Sequence, residues 1–264
     1  MRTPPSLVCM FAAALACAAL SPAAAPAADW EFSSAANYDT GKYGAKDRTD
    51  SVYIPFTLKR YYRGADLSVT VPYLRQSSRG LITRVGGKPV RIAGRGGTAV
   101  NSAAAGLGDI LVNGSYTLKL DGPRSFDLGL AGRLKLPTAD KNKGLGTGEP
   151  DGGVGLEFAK EVGPRWTLLA DGYYTRIGNP PGLDLNDQVE VELGFYAPLR
   201  GNMGLTVLYE AQNALVDGNA GPRCLSGTLS YGTAGGVQLA VGLTLGLSDG
   251  SPELDIGAGL NLQF

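Results

Sequence analysis

From Trp30 to the end of the chain, apolar and polar residues alternate with a period of two. The last segment shows it most cleanly: Leu254, Ile256, Ala258, Leu260, Leu262 and Phe264 alternate with Asp255, Gly257, Gly259, Asn261 and Gln263. The segment before it repeats the pattern, with Val237, Leu239, Val241, Leu243, Leu245 and Leu247 set against Gln238, Ala240, Gly242, Thr244 and Gly246. Successive side chains of a strand point to opposite faces, so each segment carries one apolar face and one polar or small face. The pattern predicts strands near 30–38, 51–59, 65–75, 109–120, 124–136, 152–162, 165–177, 187–198, 203–213, 223–232, 237–248 and 253–264.

A soluble sandwich also alternates, so the connections must decide. Long ones at 39–50, 76–108, 137–151, 178–186 and 214–222 take turns with short ones rich in turn residues. The short ones are Asp121-Gly122-Pro123, Gly163-Pro164, Arg200-Gly201-Asn202 and Thr233-Ala234-Gly235-Gly236. Asp249-Gly250-Ser251-Pro252 breaks the rule by being short where a long loop is due. Short periplasmic turns and longer external loops characterise outer-membrane barrels. Both ends of the mature chain then lie on the periplasmic side, which requires an even strand number. The expected fold class is all-β, a transmembrane antiparallel up-and-down β-barrel of about twelve strands. Trp30, Tyr38, Tyr73, Trp166, Tyr174, Tyr209 and Tyr231 fall on apolar faces near strand ends, where barrels carry aromatic girdles.

The N-terminus reads as a targeting signal. Arg2 precedes an Ala-rich apolar run from Leu7 to Leu20, and Ala25-Pro26-Ala27 offers small residues to a signal peptidase. The run is shorter than the roughly 20 apolar residues that span a bilayer as a helix. The expectation is a signal peptide over 1–27, cut before Ala28, and one barrel domain over 28–264. Cleavage would remove Cys9 and Cys17 and leave Cys224 alone, so no intramolecular disulfide is expected.

Charge and composition narrow the function. Lys plus Arg and Asp plus Glu both number 24, a balance without the basic footprint of a nucleic-acid binder. Histidine is absent from the chain. That excludes Ser-His hydrolysis, His-based proton shuttling and His-ligated zinc. No catalytic residue, metal site or cofactor is expected, and a lipid-modifying enzyme is the least favoured function class. Gly144 to Gly148 lacks the Gly-Lys-Ser/Thr ending of a phosphate loop and reads as an external loop. The basic stretch Arg79, Arg84, Lys88, Arg91 and Arg95 has three readings: contact with lipopolysaccharide phosphates, folding into the pore, or a solvated loop. Gly86-Gly87, Gly94 and Gly96-Gly97 predict that it is flexible.

The same alternation assigns the inner face. Glu157, Asp171, Glu190, Glu192 and Glu210 fall opposite apolar neighbours and are expected to line the pore, together with Asp255. Arg133 and Lys135 point inward nearer the external mouth. Symmetric hairpins would set Glu157 beside Asp171, Asp171 beside Glu192, and Glu192 beside Glu210. Such an acidic row favours cations or polarised solutes; the plainer reading is that these groups hydrate and fill the lumen. Twelve strands close with a backbone radius of roughly 12 Å, enough for one small solute. Inner glycines, Gly129, Gly153, Gly155, Gly194, Gly242, Gly257 and Gly259 among them, are expected to widen the bore. A tight turn at 121–123 would further set Asp109 opposite Lys135 as a rim pair.

Four segments carry a resemblance: Val71-Pro72-Tyr73-Leu74, Gly106-Leu107-Gly108-Asp109-Ile110, Leu134-Lys135-Leu136-Pro137-Thr138 and Gly144-Leu145-Gly146-Thr147-Gly148-Glu149. They resemble the family of the MetA pathway of phenol degradation, transporter-like outer-membrane proteins. The likeness runs from about residue 50 to the end and is strongest from 67 to 151. A last strand ending in Phe264 resembles the signal read by the bacterial barrel-assembly machinery. The resemblance implies a barrel in the bacterial outer membrane, in contact with its lipid and lipopolysaccharide. It implies a channel or transporter for a small, aromatic or apolar molecule. The competing expectation is a plugged structural or sensing barrel whose loops carry the function. No catalytic residue is transferred by the resemblance.

Overall fold

The computed structural model describes residues 29–77, 82–93, 103–120, 126–163, 165–233 and 235–264. The expected signal peptide and its cut, the turn at 121–123, and Arg79, Gly94, Arg95, Gly96 and Gly97 lie outside the described residues.

Fifteen strands are described. They are β1 (Trp30–Gly41), β2 (Thr49–Tyr62), β3 (Ala65–Gln76), β4 (Ile82–Val85), β5 (Lys88–Arg91), β6 (Ala104–Leu107), β7 (Ile110–Leu120) and β8 (Phe126–Leu136), then β9 (Asp151–Val162), β10 (Trp166–Arg176), β11 (Gln188–Pro198), β12 (Met203–Gln212), β13 (Arg223–Gly232), β14 (Val237–Gly246) and β15 (Leu254–Gln263). Each wall strand pairs antiparallel with its neighbours in the chain, and β1 pairs with both β2 and β15. The wall is therefore a closed antiparallel barrel of twelve strands, with no free edge to protect. β6 and β7 share one wall position. Both pair with β3, and Gly108 and Asp109 interrupt them where the Gly108 N–H donates to the Pro72 carbonyl at 2.8 Å.

The two faces are inverted relative to a soluble protein. Leu58, Val69, Leu130, Leu156, Leu193 and Val241 are exposed outward, while Ser33, Asn37, Thr70, Asn113, Ser230 and Thr244 are buried inward. An exposed apolar band this extensive belongs in hydrocarbon, and closure satisfies the backbone there. All seven girdle aromatics named from the sequence are among the exposed residues. One rim carries the short turns and the outer ends of β1 and β15, where Trp30 and Phe264 exchange backbone hydrogen bonds of 3.0 Å. The other rim carries the longer connections.

The connection between β3 and β6 is not a solvated arm over its described part. β4 and β5 form a hairpin that makes its own two-stranded sheet, separate from the wall. Gly86 and Gly87 make the two-residue turn with φ of 57° and 85°. Positive φ at both positions is what a tight hairpin turn demands, so here the glycine pair builds order rather than flexibility. One apolar side of the hairpin, Val85 and Val90, packs with Ile92 against Ile177, Leu185 and Leu215 of the β10–β11 and β12–β13 loops. On the other side Ile82 packs against Tyr43 of the β1–β2 loop. The hairpin thus sits inside the long-loop mouth with its turn in the lumen.

Candidate functional site in the lumen

The inner wall from β8 to β12 carries the carboxylates. Glu157 stands directly opposite Asp171, Asp171 opposite Glu192, and Glu192 opposite Glu210 across three successive ladders. All four are buried, as is Glu190, one step nearer the long-loop rim. Alternation fixed the face, and nearly symmetric hairpins fixed the level.

The row is not left uncompensated. Lys88, just after the hairpin turn, places its Nζ 2.6 Å from Glu190 Oε1 and 2.6 Å from Glu210 Oε2, and also contacts Glu192. Burial alone would lower the affinity of this amine for its proton, but the three carboxylates outweigh it and hold the ammonium protonated well above the ordinary lysine range. Arg133 on β8 adds a second cation, 2.8 Å from Glu190 Oε2, with its guanidinium lying 3.3 Å from the Tyr173 ring centroid. The Tyr173 hydroxyl donates to Glu157 Oε1 at 2.5 Å. Asp171 Oδ1 accepts the Phe158 N–H at 3.2 Å, and Glu210 Oε1 accepts the Ser226 hydroxyl at 3.1 Å.

A second latch holds the opposite side of the hairpin. Arg84 donates to Asp39 Oδ2 at 2.5 Å and to Ser51 Oγ at 2.6 Å, and its guanidinium stacks 4.4 Å from the Tyr53 ring centroid. Tyr43 and Ser51 hydroxyls donate to the same Asp39 carboxylate at 2.7 and 2.6 Å. Between this latch and the β12–β15 wall lies a cavity that opens to solvent. Pro89, Pro222, Pro252, Cys224 and Tyr53 give it apolar surface, and Asp255 and Thr244 face it from neighbouring strands.

The other residues singled out from the sequence fall as follows. Lys135 is buried at the long-loop rim, and its nearest acid is Asp151, 2.7 Å away and directly opposite on β9. Asp109 lies 3.8 Å from Lys135 but outside the ladder, because Leu111 is the residue opposite Lys135. Asp109 instead accepts the Ala139 N–H at 3.0 Å, while Lys135 donates to Thr147 at 2.9 Å. The segments that carried the family resemblance therefore meet at one rim and tie the β8–β9 loop down. Inner glycines do not simply widen the bore. A Cβ on Gly155 would meet the Tyr173 ring at 2.1 Å and one on Gly129 would meet Glu157 at 3.1 Å, so neighbouring side chains fill that space. Asp39 and Tyr173 were not singled out, although their place in the alternation points both inward.

A closed twelve-stranded barrel with a lipid-facing apolar band and a charged lumen is an outer-membrane β-barrel. Residues 51–264 match the family model described as "Putative MetA-pathway of phenol degradation", and the chain belongs to that family. Among solved structures it is similar to the COG4313 outer membrane channel from Pseudomonas putida F1, with 14% identity, a TM-score of 0.73, and coverage of 91% of this chain and 97% of that one. It is also similar to the KdgM porin in complex with disordered oligogalacturonate, with 12% identity, a TM-score of 0.52, and coverage of 89% and 99%. No curated protein matches the sequence.

Proposed function

We propose that the chain is a channel or transporter that passes small apolar or aromatic molecules across the outer membrane, with the β4–β5 hairpin as its movable constriction. One observation carries the reading: among the described residues, the hairpin makes no backbone ladder with the wall and is held by side chains alone. A plug that shares no ladder can shift without unzipping the barrel. Support comes from the family membership and from the wall facing the cavity. Along β14, β15 and β1 the inner face narrows to Ala240, Gly242, Gly257, Gly259 and Ala35, a smooth strip below the cavity toward the short-turn rim. The reading assigns the protein no catalysis and no cofactor. Its surroundings are membrane lipid and, at the long-loop rim, lipopolysaccharide; Phe264, exposed at the other rim, is the feature offered to the barrel-assembly machinery.

The strength of the Lys88 latch favours a second reading, a permanently plugged barrel whose loops act as a sensor. Planar-bilayer recording and uptake of a small aromatic into liposomes separate the two. Resolved openings and uptake are expected. A silent trace without uptake, in both the native chain and a Lys88→Met variant, would establish the plugged barrel.

A further inference from the structure

The cavity between the hairpin and the β12–β15 wall contains more than apolar surface. Thr244 and Asp255 stand directly opposite each other across the β14–β15 ladder, and both line it. Both are more than nine-tenths buried. Asp255 Oδ1 and Thr244 Oγ1 nevertheless have no hydrogen-bond partner among the described residues, and neither does Nε of Arg84, which lines the same cavity. A buried polar atom without a partner is unfavourable, so three on residues around one cavity point to a group that supplies their bonds. The set is a carboxylate oxygen that accepts, a hydroxyl that does either, and an N–H that donates. Asp39, the carboxylate beside Asp255 on β1, cannot relieve it, because a carboxylate has no proton to donate and this one accepts from Arg84, Ser51 and Tyr43.

Resting on the channel reading, we infer that this cavity is the solute site, and that Asp255 with Thr244 selects small apolar molecules carrying one hydroxyl. A hydroxyl donates to Asp255 and accepts from Thr244 or Arg84 at once. Pro89, Pro222, Pro252 and Cys224 cover the apolar remainder of the molecule. An ether can only accept and a hydrocarbon can do neither, so both leave the Asp255 oxygen unpaired. A site built to pair with a hydroxyl rejects the analogue that lacks it, whereas an apolar wall alone discriminates weakly.

The test is equilibrium binding of phenol and of its methyl ether, anisole, to the folded barrel in detergent, with binding to empty micelles subtracted. Phenol is expected to bind about tenfold tighter than anisole, the size of one ordinary hydrogen bond. Asp255→Ala should reduce that ratio and leave anisole unchanged, whereas Thr244→Val, which removes a donor that the oxygens of both molecules can use, should weaken both and keep the ratio. Heat-modifiable gel mobility confirms that each variant is folded, and Asp255→Leu, closer in shape and without an acceptor, serves if Asp255→Ala does not fold. Equal affinities in the native chain would show that water alone satisfies these atoms and would overturn the inference. So would a ratio that survives in a folded Asp255 variant. Binding is read without a membrane to cross. A barrel that conducts but binds the two alike removes this inference and keeps the channel; one that discriminates but passes nothing removes only the channel.

Discussion

Gly155 shows how one missing side chain organises the lumen. Tyr173 stands opposite Gly155 and lays its ring across it, which lets the hydroxyl reach Glu157 and the ring face receive Arg133. A Cβ at 155 would come within 2.1 Å of that ring. Gly155→Ala should therefore expel Tyr173, break both contacts and cost about 1–3 kcal/mol, the usual range for overpacking. Gly152, on the lipid face of the same strand, has nothing within 4 Å of a new Cβ, so Gly152→Ala should be neutral. Urea-induced unfolding of the two variants, side by side in lipid, reads the difference. Equal midpoints would show that Tyr173 is free to move aside.

At the scale of elements, the hairpin is the part of the wall's interior that depends on the fewest residues. Its turn needs positive φ at both glycines. An alanine at Gly87 is strained there and should cost the hairpin about 1 kcal/mol, without touching any ladder of the barrel. Gly87→Ala should accordingly raise the fraction of time a channel spends open in planar bilayers and leave the thermal unfolding of the barrel unchanged. An unaltered open fraction would mean that the hairpin does not limit passage. The wall strands themselves were legible in the sequence, because a two-sided environment writes a period of two into every strand. The hairpin was not. Its strands are four residues long, too short to show a period, and Arg84 and Lys88 fit lipopolysaccharide contact, a fold into the pore and a solvated loop equally well from sequence; the structure has them in the pore. The partner that buries Lys88 lies 102 residues away, a pairing no local pattern encodes. The Asp109–Lys135 rim pair does form, at 3.8 Å, but one register step away from the opposite positions expected of it. β7 ends at Leu120 and β8 begins at Phe126, so the connection holds two residues more than the turn Asp121-Gly122-Pro123 and each partner moves by two residues. A shift by two residues preserves the faces, so Arg133 and Lys135 still point inward; a shift by one would have turned them to the lipid.

The whole molecule has two unlike rims, and the outer membrane gives them unlike exposures. Long loops outside and short turns inside predict that an impermeant thiol reagent, applied to intact cells, labels a cysteine at Lys141 in the β8–β9 loop and not one at Arg200 in the β11–β12 turn. Cys224, buried and unpaired, is first replaced by serine. Labelling of the Arg200 site alone would invert the barrel.

Selectivity is the property in which both rims, the row and the hairpin act together. The row reads from sequence as an acidic wall flanked by Arg133 and Lys135. In the folded chain it faces Lys88 and Arg133, which neutralise most of Glu190, Glu192 and Glu210. Charge in a narrow lumen sets which ions enter, and a paired charge contributes little to that field. The native barrel should then show only a weak cation preference, measured as the reversal potential under a salt gradient. Lys88→Met removes the neutralising ammonium and should both enlarge the conductance and shift the reversal potential strongly toward cation selectivity. Changing Glu157, Asp171, Glu192 and Glu210 to their amides in that background should abolish the shift, because the carboxylates are its source. A Lys88→Met barrel that opens wider without becoming cation-selective would show that the row holds the hairpin in place but does not choose among solutes.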